Sequence, residues 1–124
     1  MTLYESFLEA VTTEYDTLRV LKQSPRGTVS VVRHKKSGTR YVFRRYSGSG
    51  EVYRRLLPVL CPHLPQIMEA AEQDGQTAVL EEYVQGDTLA ELLMGARLTE
   101  REARQVTMQL CQALHVLYSM GAVH

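Results

Sequence analysis

The fold is decided by the stretch Thr77-Ala78-Val79-Leu80-Glu81-Glu82-Tyr83-Val84-Gln85-Gly86-Asp87-Thr88-Leu89. Its first half carries the β-branched and apolar residues typical of a strand, and a polar link that contains glycine then ends that pattern. Thr88 begins a Thr-x-x-Glu capping box with Glu91, which is a common start of a helix. The stretch therefore predicts a strand over 77–83 and a short helix over 88–94.

The segment before this strand predicts four further strands, most of them separated by turn signals. These signals are Ser24-Pro25-Arg26-Gly27, Lys35-Lys36-Ser37-Gly38 and Gln73-Asp74-Gly75-Gln76. Tight turns of this kind join antiparallel neighbours, so we expect hairpins in the sheet. The predicted strands cover residues 15–21, 28–34, 40–46, 67–72 and 77–83.

Helical spacing of apolar residues predicts the remaining elements. Thr2 opens a capping box ahead of a helix over 2–13, and Pro58 must end or kink the helix predicted over 51–60. A further capping box at Thr99 opens the longest helix. Hairpin-joined strands with segregated helices predict an α+β fold. We expect a five-stranded antiparallel sheet with one packed helix, followed by a short and a long helix.

Composition restricts the classes of partner. The 124-residue chain carries 14 Lys and Arg against 14 Asp and Glu, so its formal net charge is +0. Without a net field we expect neither a nucleic acid nor a membrane as partner. The sequence also lacks a long apolar run and a signal-peptide pattern. Its two cysteines, Cys61 and Cys111, are typical of core thiols in a reducing compartment, so the expected localisation is cytoplasmic.

Three stretches, in the right order, resemble the N-terminal lobe of eukaryotic-type Ser/Thr protein kinases plus the first helices of the C-terminal lobe. Residues 77–89 are similar to the fifth strand, hinge and next helix of that family, and Cys61-Pro62-His63-Leu64 is similar to its H-P-N-I connector. The third stretch, residues 113–124, resembles the run into the H-R-D catalytic loop, with His124 as the H. The resemblance covers Tyr15 to His124 and stops before the Arg and Asp of that motif.

This resemblance implies a division of the chain and a cofactor. It implies an N-terminal helix over 1–14, a kinase-like lobe with its hinge over 15–86, and partial C-lobe helices over 87–124. The cofactor of the family is ATP with Mg²⁺. The resemblance assigns no catalytic residue and no metal ligand to this chain, because the family's Asp and Asn residues would follow His124.

The turn after the first strand is implied to cover the phosphates of ATP. The family's G-x-G-x-x-G-x-V motif falls on Lys22, Ser24, Gly27 and Val29, so only the third glycine is kept. Val29 would pack on the adenine ring, while Lys22 and Arg26 could offer side-chain contacts to phosphate. The structural alternatives are a solvated turn and an ordinary core valine.

The strand over 40–46 carries the implied phosphate-binding cation. Tyr41-Val42-Phe43-Arg44 matches the V-A-I-K motif, which places Arg44 at the lysine. Alternation along a strand puts Val42 and Arg44 on the same face. Glu51 is the implied carboxylate partner of Arg44, although only seven positions separate the two residues. The alternatives are an exposed arginine and a helix-start acid favoured by the helix dipole.

The hinge contributes backbone groups and one unusual side chain. The resemblance places the backbone of Glu82 and Val84 against the edge of adenine. It places Glu81 at the back of the pocket, where kinases usually carry an apolar or Thr side chain. A carboxylate is costly to bury alone. Glu81 therefore pairs with a nearby arginine, turns outward, or marks a site that no longer takes ATP.

Three functions remain open from the sequence. The first is the N-terminal part of a Ser/Thr protein-kinase-like protein, an ATP-binding lobe without the catalytic loop and inactive by itself. The second is a pseudokinase-type regulatory or partner-binding module, and the third is a small interaction domain of another kind or a relative of small-molecule kinases. The long helix after Thr99 has apolar residues on more than one side, so we expect self-association through it.

Overall fold

The computed structural model of the chain describes residues 1–122. Val123 and His124, on which the expectations for a final strand and for the H of H-R-D rest, lie outside the described residues. The helices are α1 (Leu3–Glu14), α2 (Glu51–Leu56), α3 (Leu89–Gly95) and α4 (Glu100–Ser119). The strands are β1 (Tyr15–Ser24), β2 (Gly27–His34), β3 (Arg40–Ser47), β4 (Ile67–Gln73) and β5 (Gln76–Glu82).

The five strands form one antiparallel sheet in the order β1-β2-β3-β5-β4. The predicted fold class is therefore confirmed. Tight turns join β1 to β2, β2 to β3 and β4 to β5, which is why these pairs are neighbours. In the β4–β5 turn, Asp74 and Gly75 both have positive φ, 50° and 75°. Two-residue hairpin turns of this kind need positive φ at both positions, and Asp-Gly is a pair that adopts it readily.

Helix α1 packs on the outer face of the sheet, a position that its sequence pattern does not predict. Thr2 caps the helix by accepting a hydrogen bond from the backbone N–H of Glu5 at 3.1 Å. Buried side chains of the helix and of β2 and β5 form the main core, and Phe7 meets Phe43 edge to face with ring centroids 5.8 Å apart. The core residues are Tyr4, Phe7, Val11, Val32, Ala78 and Leu80.

Helix α2 is shorter than predicted, since it ends at Leu56 and not near Leu60. Pro58 explains the difference. A proline removes a backbone donor and clashes with the carbonyl four residues earlier, so the helix stops before it. The last turn tightens, and Leu57 N–H donates to the Arg54 carbonyl at 3.4 Å. Only six residues are therefore helical.

The chain divides into two compact units. The first comprises Met1–Leu60 and Pro65–Tyr83, and the second comprises Cys61–Leu64 and the residues from Val84 onward. In the second unit α4 begins with the predicted capping box, in which Thr99 and Glu102 bond reciprocally. Gly121 follows the helix with φ of 76°, as expected of a glycine stop. Within residues 1–122, none of the helices has the length and apolarity to cross a bilayer.

Candidate functional site: a basic pocket in the first unit

A row of cross-strand neighbours on the inner face of the sheet builds the candidate site. Lys22 of β1 lies opposite Val29 of β2, and Val29 lies opposite Arg44 of β3. Residues directly opposite in an antiparallel pair share a face, so the two cations flank the valine. A pocket of about 430 Å³ opens here. Its lining consists of Lys22, Ser24, Arg26, Gly27, Thr28, Val29, Arg44, Arg45, Tyr46, Ser47 and Tyr53.

Arg44 forms an ion pair inside the sheet. Its Nε lies 2.5 Å from Oε1 of Glu81 on the neighbouring strand β5. The register explains the contact, because Glu81 lies opposite Val42, two residues along β3 from Arg44 and on the same face. The Glu81 side chain is only 7% exposed, whereas that of Arg44 is 36% exposed. Of the three alternatives that the sequence left for Glu81, the structure has the pairing with a nearby arginine.

The suggested pair between Glu51 and Arg44 is not the one that the structure forms. Glu51 instead accepts a bond from Arg55, one helical turn further along α2, with Nη2 and Oε1 2.5 Å apart. Glu51 is more than half exposed and lies in the first turn of the helix. This position agrees with the alternative interpretation of a helix-start acid. The short α2 thus contributes no carboxylate to the ion pair of Arg44.

The side chain that α2 brings to this site is Tyr53, which in the sequence is one member of an apolar stripe at helical spacing. Burial raises the pKa of the Tyr53 phenol above its ordinary value. The positive charge of Arg44 opposes that shift in pKa, and the negative charge of Glu81 adds to it. The rings of Tyr53 and Tyr46 lie 6.1 Å apart. No sequence motif marked Tyr53.

Polar contacts from β4 and β5 hold α2 over the inner face. The backbone N–H of Gly50 donates to Glu72 Oε1 at 2.6 Å, and Arg54 also faces that carboxylate at 3.8 Å. The Thr77 hydroxyl donates to the Gly48 carbonyl at 2.7 Å. A Cβ on Gly50 would lie 2.7 Å from Thr77 Cγ2, so only glycine permits this close approach. These contacts fix the start of α2, and with it Tyr53.

Gly27, the only glycine of the implied phosphate motif, has a packing reason for its identity. It lies opposite Tyr46 of β3. A Cβ on Gly27 would lie 2.0 Å from the carbonyl oxygen of Arg45 and 2.7 Å from Cα of Tyr46. Both of these atoms belong to backbone, which cannot give way as a flexible side chain can. Strand packing therefore requires glycine here, whether or not a ligand approaches the turn.

The implied hinge residues fall in different units of the chain. Glu82 ends β5, and its backbone N–H donates to the carbonyl of Gln66 at 2.8 Å. Val84 belongs to the second unit and is 63% exposed. Next to them, the Tyr83 hydroxyl accepts a bond from Arg19 of β1 at 3.3 Å. The adenine contacts of Glu82 and Val84 stay a prediction.

The pocket fits the phosphates of a nucleotide better than it fits a metal ion. Four of its lining residues are cationic and five carry a hydroxyl, and none is acidic. Mg²⁺ prefers carboxylate and other oxygen ligands at near-octahedral geometry. Among residues 1–122 there is no group of three or more His, Cys, Asp or Glu side chains placed to hold a metal. The lining residues therefore have the chemistry to bind phosphate groups and lack the carboxylates that usually hold Mg²⁺.

Solved structures decide the fold. Residues 1–466 of Rad53, in complex with AMP-PNP, superpose with a TM-score of 0.74 at 18% identity, over 95% of this chain and 35% of that one. The PknI kinase domain of Mycobacterium tuberculosis superposes with a TM-score of 0.65 at 21% identity, over 90% of this chain and 51% of that one.

This chain has the fold of the N-terminal part of a protein kinase.

Sequence comparison gives weaker likenesses to the same class. Rho-associated protein kinase 1 of human, mouse and rabbit is 25% identical to the kinase-like chain over 122 residues. That match covers 90% of this chain and 9% of the length of those kinases. No family model matches the sequence. The kinase-like chain thus spans a small part of the Rho-associated kinases, and about a third to a half of the two solved kinases.

Proposed function

We propose that this chain is the nucleotide-binding lobe of a Ser/Thr protein-kinase-like protein, and that these 124 residues bind the phosphates of ATP without transferring them. The observation that carries the proposal is the pocket of about 430 Å³ beneath the β1–β2 turn, with Arg44 at its wall. The likeness to Rad53, whose solved structure contains AMP-PNP, supports a nucleotide as the ligand. Phosphoryl transfer also needs an Asp base and metal-binding side chains, roles that no residue of the pocket supplies.

Nucleotide binding is measured as a rise in the thermal unfolding midpoint of the 124-residue chain with ATP. A ligand at ten times its Kd stabilises the folded state by about 1.4 kcal/mol, which is readily resolved. Lys22→Gln should reduce the rise, because Lys22 lines the pocket. Lys36→Gln is the matched control, since Lys36 is also exposed but lies in the β2–β3 turn at the other end of the sheet.

A transfer assay with labelled ATP and a general protein substrate should show no incorporation above background.

A second candidate is a pseudokinase-type module that binds a protein partner with weak or no nucleotide binding. The Arg44–Glu81 ion pair favours it, because the guanidinium already has a carboxylate partner at 2.5 Å. An arginine is also bulkier than the compact ammonium of the usual lysine. This candidate predicts that ATP leaves the unfolding midpoint unchanged. The thermal titration therefore separates the two functions.

Self-association through α4 and a cytoplasmic localisation complete the proposal. The long helix exposes Met108 and Leu110 by 63% and 54%, and of its residues only Ala113 is buried. Large exposed apolar side chains on a helix are candidates for burial in a contact between protein chains. Light scattering across micromolar concentrations should show a dimer or larger species, and the double change Met108→Gln, Leu110→Gln should shift it toward monomer. A monodisperse monomer at every concentration would exclude this contact.

A further inference from the structure

Although the formal net charge of the chain is +0, its basic and acidic residues are concentrated in different segments. Eleven of the fourteen Lys and Arg residues lie between residues 17 and 55, where Glu51 is the one acidic residue. Residues 56–96 contain seven acidic residues and no Lys or Arg. Because the sheet order is β1-β2-β3-β5-β4, the basic strands β1, β2 and β3 are consecutive neighbours on one side of the sheet. Within the sheet, the acidic residues of β4 and β5 lie on the other side of β3 from β1 and β2.

The pocket lies within this basic region and has little acidic compensation. Lys22 and Arg26 take part in none of the ion pairs among residues 1–122. Arg44 is the one cation of the lining with a carboxylate partner. Because Arg55 binds the one acid of the basic segment, Glu51, that carboxylate does not neutralise the pocket. The site thus presents an uncompensated positive potential to whatever enters it.

A positive pocket affects ATP and its magnesium complex in opposite ways. The free nucleotide carries about four negative charges at neutral pH, and a bound Mg²⁺ cancels about two of them, which weakens the attraction to the lining cations. The ion itself would enter a region lined by like charge and lacking the carboxylates that usually bind it. From this charge distribution we infer that the pocket binds ATP as the metal-free polyanion, with Lys22 and Arg26 compensating the phosphate charge, and that Mg²⁺ competes with binding. The inference rests on the proposed nucleotide-binding function.

Calorimetric and thermal titrations of the 124-residue chain with ATP test it, in EDTA and in excess MgCl₂ at matched ionic strength. ATP should bind roughly fivefold more tightly in EDTA, because the free nucleotide keeps the full negative charge that the partly exposed lining cations attract. Affinity in EDTA should fall from ATP to ADP to AMP, and it should weaken as salt rises. Lys22→Gln and Arg26→Gln should each weaken binding roughly threefold. Lys36→Gln should leave it unchanged.

The possible outcomes distinguish failure of the metal-free inference from failure of the proposed nucleotide-binding function. Binding that requires Mg²⁺, or that is tighter with it, overturns the metal-free inference and leaves nucleotide binding intact. The absence of binding in both conditions overturns both. A titration with MgCl₂ alone should leave the unfolding midpoint unchanged, and stabilisation by the metal alone would show that the chain holds a cation site and would contradict the inference.

Discussion

Replacing Arg44 with methionine should lower the free energy of unfolding by about 2–3 kcal/mol, because it leaves the carboxylate of Glu81 buried without its partner. The effect is below the ~3–5 kcal/mol typical of fully buried pairs, since the Arg44 side chain is 36% exposed and water partly screens the charge. Urea denaturation followed by circular dichroism measures the change. Stability should recover in the double variant Arg44→Met, Glu81→Leu, in which neither charge remains.

Arg45→Met is the matched control for this experiment. Arg45 is the neighbour of Arg44 on the same strand, but alternation turns it to the other face, and it has no acidic partner among the described ion pairs. Its replacement should change the free energy of unfolding by less than about 0.5 kcal/mol. Equal losses in Arg44→Met and Arg45→Met would show that the Arg44–Glu81 pair does not stabilise the lobe. A double variant no more stable than Arg44→Met would contradict the unpaired-carboxylate explanation.

Gly27→Ala should destabilise the chain by about 3 kcal/mol, at the upper end of the cost of overpacking. The added Cβ would lie 2.0 Å from the Arg45 carbonyl oxygen, so β2 or β3 must shift. Thermal or urea unfolding measures the loss. Gly95→Ala is the matched control, because a Cβ on Gly95 meets no atom within 4 Å. Its expected effect on stability is close to zero.

This experiment also separates two roles of the glycine. A glycine present only so that phosphate can approach the backbone predicts a Gly27→Ala variant of normal stability and reduced affinity for ATP. The packing explanation predicts a loss of stability in buffer that contains no nucleotide. Normal stability of the variant would therefore contradict the explanation from strand packing.

The sequence predicts the elements well because local signals agree with the tertiary structure. Capping boxes at Thr2, Thr88 and Thr99 mark helix starts that the structure confirms, since each threonine caps its helix. Turn residues identify the hairpins, and the alternation of Val42 and Arg44 identifies a shared face of the sheet. The end of α2 was misplaced because helical spacing of leucines continues past Pro58, while the backbone cannot.

The site was harder to predict than the fold, because its contacts join residues that are distant in sequence. Which carboxylate meets Arg44 depends on the register between β3 and β5, and no local pattern encodes that register. The sequence left the pairing of Glu81 as one of three alternatives. Tyr53 was missed for a related reason, since a tyrosine in an apolar stripe is usually part of a core. The roles of Val29, Glu82 and Val84 toward a base stay predictions.

The location of the Arg44–Glu81 pair has a consequence for signalling. Active kinases depend on a pair between a strand lysine and a carboxylate on a mobile helix, so moving that helix makes or breaks the contact. Here both charged groups belong to adjacent strands of one sheet, and backbone hydrogen bonds hold those strands together. An incoming signal that displaced the six-residue helix would leave this pair closed. The contact between Arg44 and Glu81 is therefore set by the register of β3 and β5 and does not depend on where α2 lies.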